Sequence, residues 1–315
     1  MSEELKRQVG LLVLDVTMSN PNGDPDMESE PRTRELDGLG MISPVSLKRK
    51  FRDLVSEDSR DLVSEGSEVF STVFSAAKEK LGLGNKTGNE FRILEERGRN
   101  RDEIKEMDKE TFKRSFWDAR LFGNTFLESL KDRELNDDQK KKKKEGGYNH
   151  LINTGALQVG VGLSIAPIEV VRMTNTNKAG VQEDKDRGMA PLAFRVVQHG
   201  IYCIPIYFNP SIARKTGARQ EDVELLKFMM PYVYQHTASA IRPQISVLHA
   251  WFAEHKNSLG SCPEHLFIDA LTPKLRDGIA KPSSMKDYRI PTREDLGSLK
   301  DRFNSVVDLM DRVGE

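Results

Sequence analysis

The apolar run Val9-Gly10-Leu11-Leu12-Val13-Leu14-Asp15-Val16 is short and rich in branched and leucine side chains, which predicts a buried strand. It leads into Ser19-Asn20-Pro21-Asn22-Gly23-Asp24-Pro25-Asp26, a loop dense in residues that fix φ, tolerate φ > 0 or bond nearby backbone. Ser43-Pro44 reads as an N-cap followed by Pro at the first helical position. The helix it opens carries Leu47, Phe51 and Leu54 on one stripe, and Lys48, Arg49 and Arg52 are expected on its other sides. Further on, Leu157, Val159, Val161, Leu163 and Ile165 alternate with small or polar residues, predicting one half-buried strand whose other face is smooth. Gly160 and Gly162 on that face leave room for an approach to the backbone.

The stretch 57–144 breaks this regularity. Val69, Phe70, Val73, Phe74 and Ala77 recur at helical spacing, 95–114 is mostly charged, and Phe116 to Gly123 returns to core character. Lys140, Lys141, Lys142, Lys143 and Lys144 repel one another and predict a solvated loop tip. The region 172–200, with Arg172, Met173 and Thr174 at one end and Arg187 and Met189 at the other, reads as a long arm. Such methionines either wedge against a partner or fold back on the core. Ile201, Ile204, Ile206 and Phe208 re-enter the core, and Asn209-Pro210 closes that strand. A helix follows on Val223, Leu226, Met229, Met230 and Val233, which Pro231 ends or kinks. Ile245 to Phe252 predicts another strand, and Leu296, Leu299, Phe303, Val306, Met310 and Val313 predict an amphipathic C-terminal helix. This order resembles an α+β, ferredoxin-like core with large insertions.

Composition narrows the chemistry. Over 315 residues the apolar fraction is 37%, and 31% charged residues nearly cancel to a net charge of −1. Any polyanion site is therefore a local patch. The two cysteines suit a reducing cytoplasm, and the sequence has neither a secretory leader nor a run of about 18 apolar residues. The six histidines lack metal-ligand spacing, and no cofactor motif is present. Asp15, Asp24 and Asp26 near the end of the first strand suit Mg²⁺, although Asp is common in such turns for its local hydrogen bonds. Lys48, Arg49, Lys50 and Arg52 suit either a phosphate track or a solvated helix face.

The Asn20 to Asp26 loop together with Ser46-Leu47-Lys48-Arg49-Lys50-Phe51-Arg52 resembles the signature of CRISPR-associated RAMP proteins. The resemblance is to the Cascade backbone, family seven of the CRISPR-associated series, nearest its type I-B and I-C branches. It continues through Asp118-Ala119-Arg120-Leu121-Phe122-Gly123, Gln158 to Gly162, Arg172-Met173-Thr174, Gly188-Met189, Gly200-Ile201-Tyr202, Thr216-Gly217 and Phe252 to Gly260. Thr237 to Arg242 departs from it, because relatives tend to carry an acid and an Arg before the Ser.

The resemblance implies an RRM-like palm (1–56, 151–171 and 201–315), helical fingers (57–150) and a thumb hairpin (172–200). It implies a subunit without catalytic activity that binds CRISPR RNA beside neighbouring copies of itself and other Cascade subunits. Target DNA would be met through the guide heteroduplex. Its RNA-facing positions map onto Asn20, Asn22, Lys48, Arg49, Arg52, Gln158, Arg172, Met173, Thr174, Arg187 and Met189. Two rivals stand beside this reading: a metal-dependent RNA endonuclease of the type III kind using Asp24 or Asp26, and a protein-only assembly factor.

Overall fold

The computed structural model describes residues 5–56, 67–83, 90–96, 103–104, 107–126, 137, 151–177 and 190–314. It is a mixed α and β fold built on an eight-stranded antiparallel sheet. The strands are β1 (Gln8–Ser19), β2 (Leu39–Ile42), β3 (Leu157–Val159), β4 (Gly162–Pro167), β5 (Val170–Asn177), β6 (Ala190–Phe208), β7 (Ile245–His255) and β8 (Phe303–Asp308). Their order is β8-β7-β1-β6-β4-β2, with β3 and β5 also paired to β6.

β1 is buried on both faces because its side chains alternate between two apolar layers. Leu12, Leu14 and Val16 face a core shared with α1 (Pro44–Val55), α2 (Ser67–Lys80), α4 (Trp117–Phe122) and α6 (Gln220–Met229). Two short helices, α3 (Lys109–Ser115) and α5 (Pro210–Thr216), flank this layer. Val9, Leu11 and Val13 face a second core with α7 (Glu264–Leu271), Tyr288 and Leu296.

The arm is a β-hairpin. β5 pairs with β6 from Val170↔Val197 to Asn177↔Ala190, whereas β1 accompanies β6 only from Val197 onward. The first part of β6 therefore runs beyond the end of β1 with β5 as its partner. Arg187 and Met189 lie outside the described residues, as do Lys140 to Lys144.

Two sequence expectations are corrected. The alternation after Leu157 breaks between β3 and β4, and its phase reverses: Gly162, Ser164 and Ala166 are buried while Val161 is exposed. The space beside the glycines is filled by the sheet itself. A Cβ on Gly160 would meet Pro205 at 2.7 Å, and one on Gly162 would meet Ile204 at 2.7 Å. The C-terminal helix is also absent. Residues Arg293–Arg302 form 3₁₀ turns interrupted at Gly297 (φ 50°), Phe303–Asp308 is β8, and Leu309–Arg312 is another 3₁₀ turn. A spacing of three suits 3₁₀ geometry as well as α, and the open edge of β7 captures the rest as a strand. Leu296, Phe303 and Val306 remain buried, so the apolar stripe is real although its backbone conformation differs.

Candidate nucleic-acid interface

α1 begins as its sequence predicts. Ser43 Oγ accepts from the Ser46 N–H at 3.3 Å, and Pro44 occupies the first turn. Leu47, Phe51 and Leu54 are fully buried. The basic residues of this helix then separate by environment. Arg49 is exposed and pairs with Asp53 at 2.6 Å, one turn on. Lys48 is half-buried with its Nζ 5.7 Å from the Phe122 ring centre, and burial, followed by nearby Arg52, lowers its pKa.

Arg52 corrects the picture of an exposed basic face. It is 5% exposed, donates from Nε to Asp118 at 2.8 Å, and pairs with Glu95 at 2.9 Å. Asp118 also accepts the backbone N–H of Leu94 at 2.7 Å and of Glu95 at 3.2 Å. Two residues along α4, Arg120 forks onto Asp222 of α6 at 2.7 and 2.8 Å. These pairs bind the inserted helices to the sheet's helical layer. Sequence reading took Phe116 to Gly123 as core, but nothing in it named Asp222 as a partner.

Lys50 is the residue the sequence placed least well. It lies three after Leu47 and four before Leu54, inside the apolar stripe, and is 5% exposed. Its Nζ donates to Thr237 Oγ1 at 2.9 Å and sits 4.9 Å from the Tyr234 ring centre. Burial, and then the like charge of Arg242, bring its pKa down to about 8.

The signature loop is an internal clamp. Asn20 is 2% exposed; its Nδ2 donates to Ser29 O at 2.7 Å and Arg195 O at 3.2 Å, and its N–H donates to Ile241 O at 2.8 Å. Asn22 Oδ1 accepts the Ser43 N–H at 2.8 Å, tying the loop to the start of α1. Asp24 Oδ1 accepts the Asp26 N–H at 3.1 Å, and its other oxygen meets Arg32 at 3.4 Å. Asp26 is exposed. Among the described residues no group of three or more His, Cys, Asp or Glu is placed to hold a metal ion.

The hairpin base adjoins this clamp. Arg172 stands directly opposite Arg195, yet the two have different surroundings. Arg195 pairs with Glu28 at 3.1 Å and Glu30 at 3.3 Å. Arg172 is exposed and, among the described residues, forms no ion pair; Met173 and Thr174 are exposed beside it. Gln158 is exposed and bonds back to Gly155 O at 2.8 Å.

A cleft of about 560 Å³ lies where β1 and β7 meet the 234–244 loop. Asp15, Thr17, Tyr234, Gln235, Arg242 and Gln244 line it with a few apolar side chains. Among the described residues, no helix is long and apolar enough to cross a membrane.

The family model for CRISPR-associated protein Cas7 matches residues 6–293, nearly the whole chain. The chain belongs to the CRISPR-associated Cas7 family. A Cas7 protein of Haloferax volcanii is 37% identical over 79 residues, 25% of this chain and 23% of that one. That match spans about a quarter of the relative's length. A chain of a CRISPR RNA-guided surveillance complex aligns over 87% of this chain and 77% of its own, at 14% identity and a TM-score of 0.41. A chain of the Type III-B Cmr-beta assembly bound to cognate target RNA aligns over 79% and 61%, at 10% identity and a TM-score of 0.38. In this Cas7-family chain the Asn-rich loop holds α1, the hairpin base and the 234–244 loop together. Of the described basic candidates for the site, Arg49 and Arg172 face outward and Lys48 is half-buried.

Proposed function

We propose that this chain is a guide-RNA-binding backbone subunit of a type I Cascade complex. Copies line up along the spacer RNA and present it for pairing with target DNA. The observation that carries the reading is the loop at Asn20 and Asn22, which ties the start of the basic helix and the base of a projecting hairpin to one element. Lys48, Arg49 and Arg172 on those two elements hold phosphates, and such contacts hold a strand without reading its bases. Arg52 is not carried into this site, because its guanidinium is committed to Asp118 and Glu95. Asn20 and Asn22 act there by shaping the loop.

The same reading takes β7-β1-β6-β4, with α1 and α6, as a ferredoxin-like palm. Those strands follow the fourth-first-third-second order of that fold and are all antiparallel. The hairpin is the thumb, and the insertion from 57 to 150 is the fingers. Near-neutral charge suits the assembly, since neighbouring copies then avoid mutual repulsion.

The function is structural rather than nucleolytic. Asp24 supports this, because both of its oxygens have internal partners. The test is a labelled-target assay with Mg²⁺ on the purified guide complex. The expected result is an intact target bound by the guide. Cleavage that Asp24→Ala or Asp26→Ala abolishes would replace this reading with a type III-like nuclease.

A further inference from the structure

Two features at opposite edges of the sheet complement each other in size and charge. The first is the turn that leads into β2. Leu36 is 88% exposed there, with Glu35 and Asp37 exposed on either side of it. The turn holds this leucine in one place. The Arg34 N–H donates to Leu39 O at 2.8 Å, and the Gly38 N–H donates to Arg34 O at 2.8 Å. Gly38 sits at φ 69°, where a side chain would be strained. The Ile168 N–H donates to Gly38 O at 3.1 Å and fastens the turn to the end of β4. Asp37 is held by Arg34, whereas Glu35 forms no ion pair among the described residues.

The second feature is a slot of about 90 Å³ between the end of α2, α6 and the 3₁₀ turn after β8. Leu81, Phe228 and Tyr232, all half-buried, give it an apolar lining. A cavity of roughly 150 Å³ holds a benzene, so this smaller slot suits one aliphatic side chain. Lys80, Lys227 and Arg312 line it too. Lys80 and Arg312 are exposed and form no ion pair among the described residues. Glu224, the acid among the described lining residues, is already engaged, accepting from Gln220 at 2.7 Å and from Lys227 at 3.0 Å. An apolar slot is thus edged by free cations, and an acid-flanked leucine projects elsewhere on the same chain.

The sheet keeps the two apart. β2 is the strand at one edge and β8 the strand at the other, about 24 Å away. The turn therefore does not reach the slot of its own chain. We propose that the Leu36 turn of one copy seats in the slot of the next, with Leu36 against Leu81, Phe228 and Tyr232 and with Glu35 facing Lys80 and Arg312. Leu259 is as exposed, at 89%, but it follows Lys256 and has no acid within three residues, so a cationic slot does not favour it. Turn and slot are different surfaces of one chain, so the contact is head-to-tail. A row built this way keeps a free turn at one end and a free slot at the other. The inference rests on the reading of copies in a row and deepens it by naming the surfaces that join them.

The test is self-association of the full chain without RNA, followed by sedimentation velocity over a concentration series at low and high salt. Wild type is expected to form species larger than dimers, and fewer of them at high salt. Leu36→Ser and Lys80→Glu/Arg312→Glu change only exposed side chains. Each is expected to melt as wild type does and to weaken association at least about tenfold. Mixed one to one, the two variants keep one intact turn and one intact slot between them, so they are expected to form a dimer that grows no further. Three results would each overturn the inference: a wild type that stays monomeric, a Leu36→Ser variant that associates like wild type, or a mixture that stays monomeric. Binding of an RNA just long enough for one copy is measured alongside. Leu36→Ser is expected to bind it as wild type does. A wild type that associates yet does not bind RNA overturns the RNA-binding reading and leaves this contact standing.

Discussion

Arg49 and Arg52 stand three residues apart on one helix and do opposite things. Arg52 is sealed against Asp118 and Glu95 at the junction with the inserted helices. Arg49 lies in the open, held only by a surface pair one turn away. The same contrast runs through the molecule. The junction, with Arg52–Asp118 and Arg120–Asp222, is dry, fully partnered and structural. At the proposed RNA path, Arg49 and Arg172 are exposed, Lys48 is half-buried, and Arg172 forms no ion pair among the described residues. A basic residue near a proposed RNA path therefore belongs to the RNA only if its charge is not sealed from solvent against an acid of the protein.

Breaking the junction gives the largest effect. Asp118→Ala leaves Arg52 buried without its principal partner, and Asp222→Ala does the same to Arg120. Each is expected to cost roughly 3–5 kcal/mol in denaturant unfolding, with RNA binding lost only as the fold is lost. A loss under 1 kcal/mol would mean that the junction is not the internal staple described.

Lys50 gives the next effect, and its sign follows from burial. Its folded pKa, about 8, lies below the ordinary 10.5, so between these values the unfolded chain binds the extra proton. Stability is expected to rise as pH goes from 8 to 10.5, by at most roughly 3 kcal/mol. Lys50→Met should flatten that rise. Parallel pH profiles for variant and wild type would contradict the buried placement of Lys50.

Variants on the proposed RNA path sharpen the comparison from the other side. Lys48→Ala/Arg49→Ala is expected to weaken RNA binding about tenfold at low salt for every guide sequence, while unfolding shifts by less than roughly 0.5 kcal/mol. Arg49→Ala alone removes the pair with Asp53 and should shift stability by only about 0.3 kcal/mol. Thermal melts on these variants, beside the Asp118→Ala melt, separate the two regions in one series.

Where local physics decided the outcome, the sequence was legible. The apolar run of β1, the Ser43-Pro44 start of α1, the stripe of Leu47, Phe51 and Leu54, and the projecting arm all appear in the structure. The end of α6 before Pro231 does too. Expectations failed where a distant partner decided. The edge of β7 turned a helix-like stripe into β8, and Pro205 and Ile204 filled the space beside Gly160 and Gly162. Arg52 looked exposed because Asp118 lies 66 residues away in sequence. Helix α5 was there to be read: Asn209 caps it, Pro210 starts it, and Gly217 ends it in the left-handed region at φ 80°. The cleft was not legible, since Asp15, Tyr234 and Arg242 meet only in the folded chain.

The central claim is that Lys48, Arg49 and Arg172 hold RNA by its phosphates. The direct measurement is RNA affinity across a salt series for wild type and Lys48→Ala/Arg172→Ala, with two unrelated guide sequences. Each lost phosphate contact should reduce the slope of log affinity against log salt by roughly 0.7, equally for both sequences. An unchanged slope, or a loss confined to one sequence, would contradict the account.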